Sequence, residues 1–413
     1  MKLAPLFVRL CHAHIHLDKC FLLDKCLEGG HEELITGDFQ EALKVTAAAK
    51  ARFPHNEQDL YERGKRLILQ SVSAGVTSMR AHVEVDSIVG KSCLNVGLRL
   101  KADFQHLCYI QIAVFAQEPL FDSSDSQDPG PNYEALLEVV GTEGVEAIGS
   151  APYVEPSETH LERNIDLILE LAWKHNLHAD FHLDYNFDPN RRIYTKLLLE
   201  RIESRTLQGT WRKDLHVCVG HATRLALPDD DSAAVLSTLA SRAKDEVTLV
   251  SLPQSDMYMM GRGTNGPAPR STLDVCRLAK ERNLHIAMSV NNVQNAFTPQ
   301  GTVDPLSLSS LGVMLFQAAT KVDCQVLLNA VTGNSRRAIG LAPTISQVAD
   351  QSNSQRLVDP LANIPRQGDM ADFVLLHGNT TLQNAIFNPA YDRTTIRGGK
   401  IVATRTAKVQ FVD

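Results

Sequence analysis

Eight short β-rich segments alternate with helical segments along most of the chain, and this alternation constrains the fold more than any other feature. Between the β-rich segments lie stretches with apolar residues three and four positions apart, such as YERGKRLILQSVSAG and ERNIDLILELAWKH. That spacing is typical of amphipathic helices. Eight strand–helix units predict an α/β protein whose parallel strands close into a TIM-like (β/α)8 barrel rather than an open sheet. The β-rich segments begin near Phe7, Val76, Tyr109, Val145, His178, Leu215, Val247 and His285.

The pattern changes near residue 340, and a chain of 413 residues leaves room for a barrel with an appendage. The segments ADFVLLHGN and TTIRGGKIVATR resemble antiparallel strands joined by glycine-containing turns. The stretch from Thr344 to Arg366 is rich in Gln, Ser, Asn and Pro and has weak periodicity, as loops do. We therefore predict a barrel over 1–340, a linker over 341–366 and a small β appendage over 367–413.

Charge and composition exclude several classes of partner. The chain has 41 Lys plus Arg and 48 Asp plus Glu, without long runs of one sign, so it lacks the basic surface of a nucleic-acid binder. Its apolar stretches are shorter than the ~20 residues that cross a bilayer, and a signal-peptide pattern is absent. The eight cysteines are dispersed without a CxxC pair, which indicates reduced thiols. We expect a cytosolic protein without nucleic-acid or membrane partners.

Histidines dominate the carboxyl ends of the predicted strands, where barrel enzymes carry their reacting groups. His14 and His16 end the first strand, and because they are two residues apart their side chains share one face. His182 ends the fifth strand. Three imidazoles at one barrel mouth predict a site for one divalent transition metal ion. The other polar residues at strand ends are His82, His221, Asn291 and Asn292.

Candidate substrate contacts surround this predicted metal site. His82 and Asn292 lie at strand ends, although His82 could equally fill the barrel mouth. In the loop LPQSDMYMMGRG, Met257 belongs to a run of adjacent residues without helical spacing, which predicts either a thioether-rich rim or side chains packed beneath the loop. Arg262 is a candidate contact for a substrate carboxylate or carbonyl, or an exposed surface residue. The following GRGTNGPAPR predicts a lid. His12 is expected one layer deeper, buried and hydrogen-bonded.

The segments LCHAHIHLDKC, DFHLDYN, VGHATRL and MSVNNVQNAFTPQGTVDPL resemble the amidohydrolase superfamily, and within it the cytosine deaminase-like branch, particularly its uncharacterised fungal members. The resemblance covers nearly the whole chain. It implies that His14, His16 and His182 hold one zinc or iron ion, and that His221 orients water or polarises the substrate. It also matches Gln117 to a substrate-binding glutamine, and it implies a small-molecule substrate and a homo-oligomer.

Two departures from the family pattern affect the expected chemistry. Asn291 stands where most of the superfamily has a metal-ligating, proton-accepting aspartate, and an amide is not a base near neutral pH. Tyr185 stands where the deaminases have a glutamate three residues after His182. Asp184 shares a face with His182 and either replaces the missing charge or holds a neighbouring loop. We expect Asp184, His221 or Tyr185 to transfer protons, with Asn291 beside them.

The resemblance and the histidine cluster together predict a metal-dependent enzyme that hydrolyses a C–N bond, by deamination or by opening a cyclic amide or amidine. The substrate would be a small cyclic or aromatic nitrogenous compound. One alternative is a non-hydrolytic cyclase, lyase or isomerase of specialised metabolism with a weakened or lost metal site. The other is a non-enzymatic binding or scaffold protein that kept the fold. Relatives usually carry several β-strands before the first barrel strand, whereas here the HxH segment begins only a dozen residues from Met1. We therefore also expect an incomplete β-sandwich. It would pack on the barrel or on another chain, or it would leave an exposed edge.

Overall fold

The computed structural model describes residues 6–23, 34–212, 214–243, 246–263, 266–267, 270–341 and 370–412. Its strands are β1 (Leu6–Val8), β2 (Leu10–His16), β3 (Val76–Glu84), β4 (Tyr109–Ala116), β5 (Val145–Ser150), β6 (His178–Leu183), β7 (Val217–His221), β8 (Val247–Ser251), β9 (Arg262–Gly263), β10 (Gly266–Pro267), β11 (Ala287–Met288), β12 (Phe373–Leu376), β13 (Arg393–Arg397) and β14 (Lys400–Arg405).

Helices connect most of these strands and cover the outside of the barrel. They are α1 (Phe39–Lys50), α2 (Glu57–Ser73), α3 (Ser92–Phe104), α4 (Pro131–Leu137), α5 (Glu158–His175), α6 (Tyr194–Leu207), α7 (Asp230–Thr238), α8 (Pro253–Met259), α9 (Val275–Arg282), α10 (Pro305–Leu315), α11 (Lys321–Ala330), α12 (Gly333–Ala338) and α13 (Leu382–Phe387). In the described part of the chain, no helix is long and apolar enough to cross a membrane.

Eight parallel strands form the barrel in the order β2, β3, β4, β5, β6, β7, β8 and β11, which confirms the predicted (β/α)8 fold. The ring closes between β2 and the residues after β11. There the backbone N–H of His16 donates to Asn291 O at 2.9 Å, and Asn291 N–H donates to His14 O at 3.1 Å. Ser289 Oγ adds two bonds to the backbone of His14. The closing seam therefore lies beside the HxH motif.

The run predicted as one first strand is two strands in the structure. β1 pairs antiparallel with β12, Leu6 opposite Leu376, whereas β2 enters the barrel parallel to β3. The resulting appendage is a four-stranded antiparallel sheet in the order β1, β12, β13, β14. In the described residues this appendage is one sheet rather than a sandwich, and one of its strands comes from the N-terminal side. Apart from residue 341, the predicted linker lies outside the described residues, so the domain boundaries stay a prediction.

The appendage packs directly on the barrel through buried polar contacts. Arg393 of β13 donates from Nη1 and Nη2 to the two carboxylate oxygens of Asp304, at 2.8 and 2.7 Å, and from Nη1 to Ala74 O at 2.6 Å. Thr395 Oγ1 donates to Val72 O at 2.7 Å. Among the described residues, β14 pairs with β13 and forms one edge of the sheet, where Ile401 is 68% exposed. In this part of the chain the sheet is therefore anchored on the barrel and has an exposed edge strand.

Two helices occur where the sequence pattern does not predict them. Helix α1 begins at Asp38, whose side chain accepts a hydrogen bond from Glu41 N. Helix α8 begins with Pro253 in its first turn and replaces the irregular loop expected after the seventh strand. Both short helices owe their stability to packing, because Ala42 and Val45 of α1 lie against Met259 of α8.

We expect Arg393→Ala to lower the free energy of unfolding by about 3–5 kcal/mol, because it removes the guanidinium that pairs with the buried Asp304 carboxylate. Urea denaturation followed by circular dichroism measures the change. Lys400→Ala on the exposed face of β14 is the matched control and should stay within about 0.5 kcal/mol of the parent chain. Equal denaturation midpoints for the two variants would contradict the anchoring role of the pair.

Candidate active site

Three histidines from two strands meet at the mouth of the barrel. These residues are His14, His16 and His182. Each offers one ring nitrogen, and the three nitrogens lie within 4.8 Å of one another. His14 Nε2 and His182 Nε2 are 2.8 Å apart, and all three side chains are at most 2% exposed. Two ring nitrogens at that distance can share one proton or one cation. The predicted cluster therefore exists as a compact, buried group.

The protonation state of these imidazoles suits a metal ion. Burial disfavours the charged form, which lowers the pKa of His14 to about 3 and holds the pKa of His16 and of His182 well below 6.5. The neutral imidazole is the form that ligates a metal. Three such ligands with an open fourth position are typical of a catalytic transition-metal site. The donor set therefore fits a divalent ion such as zinc or iron.

His221, at the end of β7, forms a pair with a carboxylate that the sequence pattern does not single out. Its Nδ1 lies 2.7 Å from Asp256 Oδ1, and Asp256 Oδ2 accepts from Thr272 Oγ1 at 2.6 Å. Asp256 is fully buried. Because an ionised carboxylate only accepts hydrogen bonds, His221 Nδ1 carries the hydrogen. Its Nε2 is therefore the basic nitrogen.

Tyr185 lies flat against this histidine. The two rings are 3.9 Å apart with an interplanar angle of 30°, and Tyr185 also contacts Phe39 and Tyr153 edge to face or tilted. Burial raises the pKa of the Tyr185 phenol well above 10. The hydroxyl therefore stays protonated at neutral pH.

Asn291 presents a buried acceptor beside the histidines. Its Nδ2 donates to Ser255 Oγ at 2.8 Å, whereas its Oδ1 has no hydrogen-bond partner among the residues that the structure describes. The residue has a positive φ of 66°, a conformation that Asn tolerates better than most residues. An unpaired buried oxygen beside the histidines is suited to accept a hydrogen bond from water or substrate.

The structure corrects the catalytic role considered for Asp184. Its carboxylate accepts bonds from Tyr194 N, Thr195 N and Thr195 Oγ1, at 2.8, 2.8 and 2.6 Å. These bonds satisfy free N–H groups in the first turn of α6. Asp184 does not line the pocket. It holds the neighbouring segment, which was the second of the two interpretations of this residue.

A narrow pocket opens above the histidines. Of the predicted substrate contacts, Gln117 and Asn292 line it. Helix α1 contributes Phe39 and Leu43 to its wall. The remaining lining residues are His16, Lys19, Tyr153, His182, Tyr185, His221, Ser255, Asn291 and Phe297.

Three residues considered as substrate contacts lie elsewhere. His82 is fully buried with its ring 3.9 Å from that of His14, so it fills the barrel below the pocket. Met257 is half-buried on α8, because the helix turns Met259 rather than Met257 toward α1. Arg262 is exposed and donates to Thr36 O at 3.1 Å. The predicted lid around it is described only in part, as the paired strands β9 and β10.

Lys19 is a second pocket residue that the sequence pattern does not single out. Its Nζ lies 2.5 Å from Glu84 Oε1 and donates to Gln117 Oε1 at 3.3 Å. Glu84 also contacts Lys50 of α1 at 2.5 Å. Burial opposes ionisation of Glu84, but Lys19 and Lys50 outweigh it and lower the pKa of this carboxyl to about 2. The position of Lys19 directly after the HxHLD segment is the sequence feature that could have identified it as a pocket residue.

The polar groups beneath the pocket and the cysteines have structural roles. His12 is fully buried and its Nε2 lies 3.3 Å from Ser71 Oγ, as expected for a hydrogen-bonded core residue. The cysteines in the described part of the chain are buried and unpaired. Cys26 lies outside the described residues. The described thiols are therefore core residues that do not line the pocket.

The chain is similar to several known enzymes, although no protein-family model matches its sequence. The chain is 21% identical over 335 residues to N-isopropylammelide isopropyl amidohydrolase from Pseudomonas sp. (strain ADP), covering 80% of this chain and 73% of that protein. It is 22% identical over 395 residues to pterin deaminase from Rhizobium rhizogenes, covering 94% and 78%.

Among solved structures, 5-methylcytosine deaminase from Klebsiella pneumoniae liganded with phosphonocytosine superimposes with a TM-score of 0.79 and 20% identity, covering 99% of this chain and 89% of that one. The matched proteins are deaminases and amidohydrolases, enzymes that hydrolyse C–N bonds. The likeness to the cytosine deaminase-like branch of the amidohydrolase superfamily is therefore confirmed in the fold, whereas a fungal subgroup stays a prediction.

Proposed function

We propose that this protein is a metal-dependent hydrolase that cleaves a C–N bond of a small nitrogen heterocycle, by deamination or by opening a cyclic amide or amidine. The observation that carries the proposal is the convergence of the His14, His16 and His182 triad with the His221–Asp256 pair on one pocket. The relatives that act on pterin, ammelide and cytosine derivatives support hydrolysis over a cyclase, lyase or isomerase reaction.

His14, His16 and His182 would hold the ion, with zinc or iron as the proposed identity. When bound there, a divalent ion supplies Lewis-acid activation of water and substrate. The three ligands are neutral at pH 7 because burial lowers their pKa values, so no proton competes with the ion.

His221 is the proposed general base. Asn291 cannot remove a proton from water, but its free Oδ1 can accept a hydrogen bond that holds the water in place. His221 Nε2 takes the proton as the water attacks the ring carbon, and it then returns the proton to the departing nitrogen. The buried carboxylate of Asp256 stabilises the imidazolium in between.

The pocket favours a planar ring that carries an oxygen or amide group. Phe39, Tyr153 and Phe297 supply aromatic walls, and rings prefer stacked or edge contacts with them. Lys19 and Gln117 lie side by side in the same wall and can donate hydrogen bonds to a carbonyl oxygen. A heterocycle with such an oxygen would therefore be held by its edge while its C–N carbon faces His221.

The first prediction concerns metal content. Elemental analysis of the purified chain should find about one transition metal ion per chain, and His182→Ala should lose most of it because one of three ligands is removed. His106→Ala is the matched control, since His106 is exposed and lies in the segment between α3 and β4. Retention of a full complement of metal by His182→Ala would contradict the proposed site.

The second prediction concerns the source of oxygen. A panel of pterin, cytosine and ammelide derivatives incubated in ¹⁸O-labelled water should yield a product that carries one labelled oxygen, together with released ammonia or amine. Mass spectrometry of the product measures both. A product formed without labelled oxygen would instead identify the non-hydrolytic cyclase, lyase or isomerase alternative.

The third prediction concerns the proton carrier. Asp256→Asn should lower kcat by roughly 10²–10⁴-fold, because His221 loses the charge that fixes its tautomer and stabilises its protonated form. The change should fall on kcat more than on KM in steady-state kinetics. Asp214→Asn, which alters an exposed ion pair with Arg212, is the matched control and should leave kcat unchanged. An unaltered kcat in Asp256→Asn would remove His221–Asp256 from the reaction.

A further inference from the structure

A buried carboxylate lies directly beneath the histidine triad, outside the pocket. Asp180 precedes His182 by two residues on β6, so both side chains point to the barrel interior. Asp180 Oδ1 lies 3.5 Å from His14 Nδ1 and 3.4 Å from His82 Nε2. All of these side chains are at most 2% exposed. The carboxylate is therefore within reach of a candidate metal ligand from its far side.

Three of the facing atoms have no hydrogen-bond partner. Among the described residues, His14 Nδ1, His82 Nε2 and Asp180 Oδ1 are buried without a hydrogen bond. A polar atom buried without a partner is destabilising, so native structures rarely leave three of them facing each other. They need either hydrogen bonds that join them or a second cation between them, and His14, His82 and Asp180 do form a possible ligand group.

The surrounding charge favours hydrogen bonds over a second cation. Asp180 Oδ2 already accepts from Arg80 Nη1 at 2.9 Å, and both groups are fully buried. The guanidinium balances the single charge of the carboxylate. A second divalent ion would then lie beside Arg80 and beneath the first ion without any further anion, in a place closed to water.

The arginine that donates to this carboxylate is itself fixed by further hydrogen bonds. Arg80 Nε donates to Gln111 Oε1 at 2.6 Å, and Gln111 Nε2 donates to Ile339 O at 3.0 Å. Arg80 Nη1 also donates to Cys218 Sγ at 3.2 Å. This chain of contacts runs from the floor of the barrel to the triad and fixes the direction of the Asp180 carboxylate.

We propose that Asp180 is a positioning residue for the metal site, which accepts the Nδ1–H of His14 and thereby leaves Nε2 as the metal-binding nitrogen. His14 Nε2 is the atom that lies 2.8 Å from His182 Nε2, as this tautomer requires. A carboxylate that accepts the second N–H of a ligand histidine fixes the ring and makes it a stronger ligand. The inference deepens the proposed function, because it rests on metal binding by His14.

The test compares two isosteric variants of the full chain, Asp180→Asn and Asp256→Asn. Each removes the charge of a buried carboxylate next to a histidine, but Asp256 serves His221 rather than His14. Chelator competition with zinc should show a 10–100-fold loss of affinity in Asp180→Asn and none in Asp256→Asn. The visible spectrum of cobalt-loaded protein should change only in Asp180→Asn. Thermal unfolding of both metal-free variants separates a loss of affinity from a loss of fold.

If Asp180→Asn does not fold, a measurement on the unmodified protein still tests the proposal. ¹⁵N-edited NMR of the zinc-loaded chain should show His14 protonated at Nδ1. Zinc affinity unchanged in Asp180→Asn, an unprotonated His14 Nδ1, or two bound ions per parent chain would each overturn the role of Asp180. Absence of metal binding by the parent chain would instead overturn the proposed function on which this role rests.

Discussion

Closure of the barrel between β2 and β11 is the constraint on which the site depends. Strand β11 has only two residues, Ala287–Met288, and the ring closes through the backbone of Asn291 rather than through a long ladder. Its bonds to His14 and His16 place the asparagine against the HxH motif. The same seam that completes the fold therefore brings Asn291 beside the histidines of the HxH motif.

Two buried carboxylates each contact one histidine of the site. Asp256 lies 2.7 Å from His221 at the pocket, and Asp180 lies 3.5 Å from His14 beneath it. In each case the carboxylate is buried and is held by a further donor, Thr272 or Arg80. Because a carboxylate accepts without donating, each one selects a single tautomer of its histidine. In the proposed mechanism, this leaves His221 with a basic nitrogen for proton transfer and His14 with a nitrogen for the metal.

Most of the barrel could be predicted from the sequence, because strand and helix periodicities report the burial of apolar side chains locally. The three clustered histidines could be placed for the same reason, since a parallel barrel brings all strand ends to one rim. Helices α1 and α8 could not be predicted, because packing against each other stabilises them rather than local periodicity. The role of Asp256, which lies on α8, could not be predicted either, because it depends on contact with a histidine on strand β7.

The sequence by itself determined the parallel barrel, the histidine-rich mouth and the absence of a carboxylate at Asn291. These features depend on residue type and strand order, which the chain carries locally. Only the tertiary structure decided what each polar residue does. It assigned Asp184 to the start of α6, His82 to the barrel interior and Lys19 to the pocket wall. Hydrogen-bond partners distant in the chain make those choices, because a buried charge or imidazole is stable only where another part of the fold satisfies it.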